Sequence, residues 1–220
     1  MPNATSEKAP LMKPYNPLEK ENLGKSVADS LVCKAPVPLG AVERFHGAGV
    51  YAIYYTGNFD AYAELGNWNR GEDGVNIPIY VGKAVPTGGR KGNVDPEVSA
   101  KGTALFSRLE EHRKSIEQTS NLDIRDFSCR YLVVDDIWIP LGESLLIQRH
   151  RPIWNSVIDG FGNHDPGAGR RKGARPSWDT LHPGRTWADR CAPSKLNESQ
   201  IRARISEFWN NYPNFRESEE

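Results

Sequence analysis

Apolar residues in this chain fall into short dense runs and into helix-spaced stripes. Residues 49–55 read GVYAIYY and residues 77–84 read IPIYVGKA. Both are rich in aromatic and β-branched side chains, which predicts two strands. The long connection between them holds a short helix over 59–65 and ends in NRGEDG, a turn by composition. A third strand is predicted over 127–134. Helical spacing predicts a helix over 17–33, with Leu23, Val27, Leu31 and Val32 on roughly one face. Another is predicted over 103–119, with Leu105, Leu109, His112 and Ile116 in register and Thr103 as its cap. Pro140-Leu141-Gly142 opens a helix that runs to about His150, because Pro152 prevents its continuation. A last amphipathic helix over 198–211 carries Ile201, Ile205, Phe208 and Trp209 on one face. Residues 85–102 are a glycine-rich loop, and 160–190 hold too many glycines and prolines for regular elements. There is no repeat and no low-complexity tract. The order β-β-α-β-α with two end helices predicts an α/β (α+β) fold, a small three-stranded, mainly antiparallel sheet flanked by helices. It divides into an N-terminal extension over 1–40, a core over 41–158, and a loop-rich basic segment with the final helix over 159–220, all in one compact domain.

Composition narrows this a little. The chain has 220 residues, enough for one sizeable core, with 38% hydrophobic residues and a mean hydropathy of −0.62. No apolar run approaches the roughly eighteen residues of a membrane span, and the first residues lack a secretory h-region. The three cysteines, Cys33, Cys129 and Cys191, are far apart and odd in number. That fits buried small hydrophobes in a reducing cytoplasm. Lysine and arginine total 28, as do the acids, so the formal net charge is zero. A nucleic-acid binder usually has a basic excess. Here the charge is segregated: Arg170, Arg171, Lys172, Arg175 and Arg185 lie close in sequence against a lone acid, Asp179, while the C-terminus is acidic.

Six residues occur in a telling order: Tyr51 in the first strand, Tyr80 in the second, Arg108 and His112 one helical turn apart, then Glu143, then Asn155. With the strings Gly49-Val50-Tyr51 and Tyr80-Val81-Gly82, this set resembles the catalytic core of the GIY-YIG nucleases. Valine replaces isoleucine in both named strings. The strings GAGVYAIYYTG, PIYVGKAVP, TSNLD, DFSCR, WNSV-DGFGN and PGAGR extend the resemblance to the compact type II restriction endonucleases of that superfamily, in particular the group that cleaves CCGCGG. The resemblance covers most of 41–190 and implies a GIY-YIG-type core. It implies that Tyr51, Tyr80, Arg108, His112, Glu143 and Asn155 form the active site, with Lys83 as a helper. It further implies double-stranded DNA as substrate, a homodimer on the palindrome, a cognate DNA methyltransferase that protects a prokaryotic host, and a cytoplasmic location.

The residue types suit phosphodiester hydrolysis. That reaction needs an activated water, stabilised phosphorane charge and help for the leaving 3′-oxygen; a divalent metal serves the last two. Glu143 is the natural ligand for one Mg²⁺, with Mn²⁺ as a substitute, and sits at a predicted helix start where the macrodipole favours a carboxylate. Arg108 offers phosphate a planar fork, and Lys83 a point charge. Asn155 can hydrogen-bond a phosphate or orient a ligand. A free phenol has a pKa of about 10, so Tyr51 takes a proton only as a phenolate or in a relay. The metal, Arg108 or a protonated His112 would help it, and His112 can also accept the proton itself. Taken singly each residue has an ordinary structural reading, and for Arg108 it is a surface ion pair with Glu110 or Glu111. The ordered set carries the weight.

A G·C-rich target favours Arg and Lys contacts to guanine in the major groove. The candidates are Arg90, Lys91, Arg170, Arg171, Lys172 and Arg175. Other nuclease signatures fit poorly. Glu97 and Lys101 stand four apart rather than two, and no His-Asn-His framework accompanies His164. Two alternatives remain: another GIY-YIG enzyme of repair or homing type, or a non-catalytic DNA-binding protein.

Overall fold

The computed structural model describes residues 16–72, 74–85, 102–165 and 173–217. In chain order the elements are α1 (Lys20–Val32), β1 (Val37–Pro38), β2 (Gly49–Tyr55), α2 (Ala63–Arg70), β3 (Pro78–Ala84), α3 (Ala104–Glu117), β4 (Phe127–Val133), α4 (Ile139–His150), α5 (Ile153–Ser156), α6 (Ser177–Leu181) and α7 (Glu198–Glu217).

The fold is α+β, with helices on both sides of an antiparallel sheet. The sheet has four strands rather than three, in the order β1-β4-β2-β3. The extra strand is two residues long, with Val37 opposite Cys129 and Pro38 opposite Ser128. So short a strand has no alternation to read, and its proline is tolerated only at an edge.

β2 is buried along its whole length. Its alternation feeds two cores. Tyr51, Ile53 and Tyr55 join Leu105, Leu109, Trp154, Phe161, Trp178 and the apolar face of α7. Val50, Ala52 and Tyr54 join Ala28, Leu31, Ile139 and Leu146. Burial on both faces explains why β2 reads as a continuous apolar run. Register sets Tyr51 opposite Gly82 and Ile53 opposite Tyr80. A Cβ on Gly82 would stand 2.3 Å from the Tyr51 hydroxyl oxygen, so only glycine there lets the phenol cross β3.

α1 lies hard against α4. A Cβ on Gly24 would meet Leu145 at 2.0 Å, and one on Gly142 would meet Val27 at 2.6 Å. This close crossing fixes the part of α4 that bears Glu143. The α4 helix starts at Ile139, so Glu143 stands beyond the first turn and gains less from the macrodipole than its predicted place at the helix start implies.

Other boundaries shift for identifiable reasons. Thr103 precedes α3 but makes no side-chain capping bond; its hydroxyl faces that of Ser107 at 3.3 Å. The helix expected over 59–65 is a 3-10 turn, Asp60–Tyr62, running into α2 as far as Arg70. It continues because the buried Asn69 amide ties Tyr55 and Ile77 together through their carbonyls. The segment expected to lack regular structure contains α6 and a 3-10 turn, Ala188–Arg190. Of the cysteines, Cys129 is buried as expected, but Cys33 is exposed and Cys191 is half-buried. Among the described residues no helix is long and apolar enough to cross a membrane.

Candidate active site

α3 packs over the Tyr51 face of the sheet and turns Arg108 and His112 inward, one above the other. His112 is 1% exposed. Its Nε2 lies 2.6 Å from the Tyr51 hydroxyl. The Tyr80 ring meets His112 edge-on at 5.2 Å. Phe161 stacks on the imidazole at 4.5 Å, with the planes 18° apart.

Burial controls the charge of this pair. It pushes the Tyr51 phenol well above its usual range, helped by Tyr80 and Glu143 and opposed by Arg108. It drives His112 well below 6.5, and Arg108, His164 and Arg185 act in the same direction. Both groups are therefore neutral near pH 7; with the imidazole proton on Nδ1, the phenol donates to Nε2. The idea that a protonated His112 helps ionise Tyr51 is corrected: the burial that brings the two together also removes the imidazole's charge. Arg108 is the cation beside the pair.

Arg108 donates to the Gly162 carbonyl at 2.8 Å and to Glu111 at 3.0 Å, and it also touches Nε2 of His164. The ion pair that is the ordinary structural reading of Arg108 forms with Glu111, while Glu110 pairs with Arg113 at 2.9 Å. A Cβ on Gly162 would lie 2.7 Å from the Tyr80 hydroxyl and 3.2 Å from Arg108. In the sequence Phe161 and Gly162 stand out only as part of the string WNSV-DGFGN. Their signal is a Gly-Phe-Gly stretch beside aromatics, with no polar group to mark it as chemistry.

Lys83 and Glu143 form a 2.6 Å ion pair. Lys83 is opposite Val50 in register and so belongs to the other face of the sheet from Tyr51. The two halves still act on each other, since the Glu143 charge disfavours ionisation of both Tyr51 and Tyr80. Among the described residues Glu143 belongs to no cluster of three or more metal-ligating side chains. Its partly exposed hard oxygens would suit a divalent ion.

Asn155 serves the strand. Its amide donates to the Val81 carbonyl at 2.9 Å and accepts from the Val81 N–H at 2.8 Å. β3 is an edge strand, so Asn155 satisfies backbone groups that no strand reaches and fixes Tyr80 beside them.

Of the basic candidates for DNA contact, Arg90, Lys91, Arg170, Arg171 and Lys172 lie outside the described residues. Arg175 is half-buried and holds Asp189 at 2.9 Å and the Ala188 carbonyl at 3.2 Å. Arg185, counted from sequence with the basic cluster, is interior. It pairs with Asp179 at 2.6 Å, and both side chains are 1% exposed.

A second buried Tyr–His pair supports the core. His182 Nε2 lies 2.8 Å from the Tyr62 hydroxyl, which accepts from Trp154 at 3.0 Å. The His182 pKa is pushed down to about 3, first by burial. Both His112 and His182 stay neutral in the folded chain while the unfolded chain protonates near 6.5. Stability is therefore fully present above about 6.5. As pH falls below about 6.5 toward 3 the unfolded state binds more protons, and His182 costs about 1.4 kcal/mol per pH unit, with His112 acting in the same direction. Thermal melts from pH 7 to pH 5 should show a steady fall. Replacing His182 with Gln should remove one histidine's share of that slope.

A small antiparallel sheet with a Tyr–His pair, a phosphate-suited arginine and a helical carboxylate at one edge defines the class: a GIY-YIG nuclease core. The family model of the Eco29kI GIY-YIG domain matches residues 43–209, and the chain belongs to this family of restriction endonucleases. A search of curated proteins finds no match. The family match makes DNA the substrate.

Proposed function

We propose that the protein is a type II restriction endonuclease that cuts double-stranded DNA at the palindrome CCGCGG, using one divalent ion per site, Mg²⁺ or Mn²⁺. The observation that carries the reading is the buried Tyr51–His112 bond with Arg108 beside it, within a restriction-endonuclease family.

Tyr51 takes a proton from the attacking water while passing its own to His112 Nε2. The neutral imidazole is a competent acceptor, and the phenol need not ionise beforehand. Arg108 turns its fork to the phosphate oxygens. Tyr80 and Asn155 hold the β3 edge. Glu143 would hold the ion, which when bound supplies Lewis-acid stabilisation to the phosphorane and the leaving oxygen. Arg90, Lys91, Arg170, Arg171, Lys172 and Arg175 are the proposed DNA contacts, some positioning and some reading bases. A two-fold target fits a homodimer with one subunit per half-site. A cytoplasmic location and a partner methyltransferase complete the proposal.

Digestion of a plasmid bearing CCGCGG in Mg²⁺ tests it. Discrete fragments with ends at that sequence are expected. Scattered nicks would favour a repair-type or homing-type nuclease. Tight binding without cutting would favour a non-catalytic DNA-binding protein.

A further inference from the structure

We propose that Arg185 is a positioning residue for the active site, its buried guanidinium setting the backbone of residues 160–163 so that Gly162 holds Arg108 and Phe161 covers His112. This rests on reading Tyr51, His112 and Arg108 as the active site.

A guanidinium has five N–H donors, and Arg185 uses them all. Two reach Asp179, at 2.7 and 2.6 Å. The other three reach the carbonyls of Gly160 at 2.8 Å, Phe161 at 3.1 Å and Asn163 at 3.0 Å. Trp178 and Trp187 lie against it, their ring centroids 4.5 and 4.8 Å from its central carbon. Three of the four carbonyls in this stretch accept from Arg185, that of Gly160 also from the Asn163 N–H at 3.0 Å, while that of Gly162 accepts from Arg108. One arginine thus fixes the loop from inside, and the loop fixes the other arginine at the site.

Stability alone does not call for this arrangement. A buried ion pair is often no better than well-packed apolar residues. What an apolar group cannot do is satisfy three nearby carbonyls in a single backbone geometry. That geometry puts the Phe161 ring on His112 and leaves Gly162 without room for a Cβ beside Tyr80 and Arg108.

The effect should show on His112 itself. The polar groups facing it are Tyr51 from β2, Tyr80 from β3, Arg108 from its own helix, and His164 and Arg185 from the following segment. Loosening the loop lets water reach the imidazole, and its pKa should climb toward 6.5.

The test uses full-length Arg185→Lys, which keeps a charge beside Asp179 but loses the planar fork. With folding verified by circular dichroism, single-turnover cleavage of a CCGCGG duplex should fall about 100-fold, the cost of a displacement of about 1 Å, with duplex affinity unchanged. The His112 titration followed by NMR should move upward. Gly162→Ala breaks none of Arg185's bonds and should give both changes, as a control that the 160–163 backbone sets the site; Asp179→Asn, which removes the charge that orients the Arg185 fork, carries the test if Arg185→Lys does not fold. A folded variant with wild-type rate and wild-type His112 titration overturns the proposal. So does a rate loss that follows only the unfolded fraction while the titration stays fixed. If the wild-type protein cuts no DNA, the nuclease reading fails, and the His112 titration still decides the role of Arg185.

Discussion

Glu143→Gln should bind its DNA target as the wild-type protein does and cut it about 10³-fold more slowly. Glutamine keeps the size of the side chain and an oxygen for the Lys83 ammonium, now 2.6 Å away. It loses the negative charge, and with it the proposed hold on a divalent ion. Charge stabilisation of several kcal/mol is at stake in a metal-assisted displacement, and about 4 kcal/mol is a factor of about 10³ in rate. The packing that places Glu143 is untouched, because Gly142 rather than Glu143 makes the tight contact with α1. Gel shift in Ca²⁺ and single-turnover cleavage in Mg²⁺ separate binding from cutting. Full turnover by the variant would remove Glu143 from the chemistry.

The second large effect is expected at the Tyr51–His112 pair. A positioned acid–base group contributes about 10²–10⁴ in rate, so Tyr51→Phe and His112→Gln should each fall by that much. The double variant should fall little further, because in the proposed mechanism the two share one proton path through their 2.6 Å bond. Tyr51→Phe also leaves a buried imidazole nitrogen without its partner, at about 1–3 kcal/mol of stability. The comparison therefore belongs well below the melting temperature of each variant. Losses that simply multiply would mean two independent roles.

What was legible in the sequence followed from local rules. β2, β3 and β4 announced themselves by aromatic and β-branched content. Arg108 and His112 shared a helical face by spacing alone. The placement of Tyr51 over Gly82 was within reach of the strand reading, but its 2.3 Å consequence depends on register, which no short motif specifies. Arg185 was misread because a tally of charges takes no account of burial. An arginine is seldom interior unless paired, and its partner, six residues away, stands in the sequence only as a lone acid. Its fit between Trp178 and Trp187 is a tertiary fact. Asn155 shows the same limit. Its amide suits a phosphate and a strand edge equally well, and only the fold turns it to Val81.

The most direct measurement is single-turnover cleavage of one end-labelled CCGCGG duplex by the wild-type protein, Tyr51→Phe, His112→Gln and Glu143→Gln, each in Mg²⁺ at saturating enzyme. The expected result is a cut at the palindrome by the wild type alone, with all four proteins binding. A variant that cuts as fast as the wild type, or a wild type that binds without cutting, would contradict a single nuclease centre built from these residues.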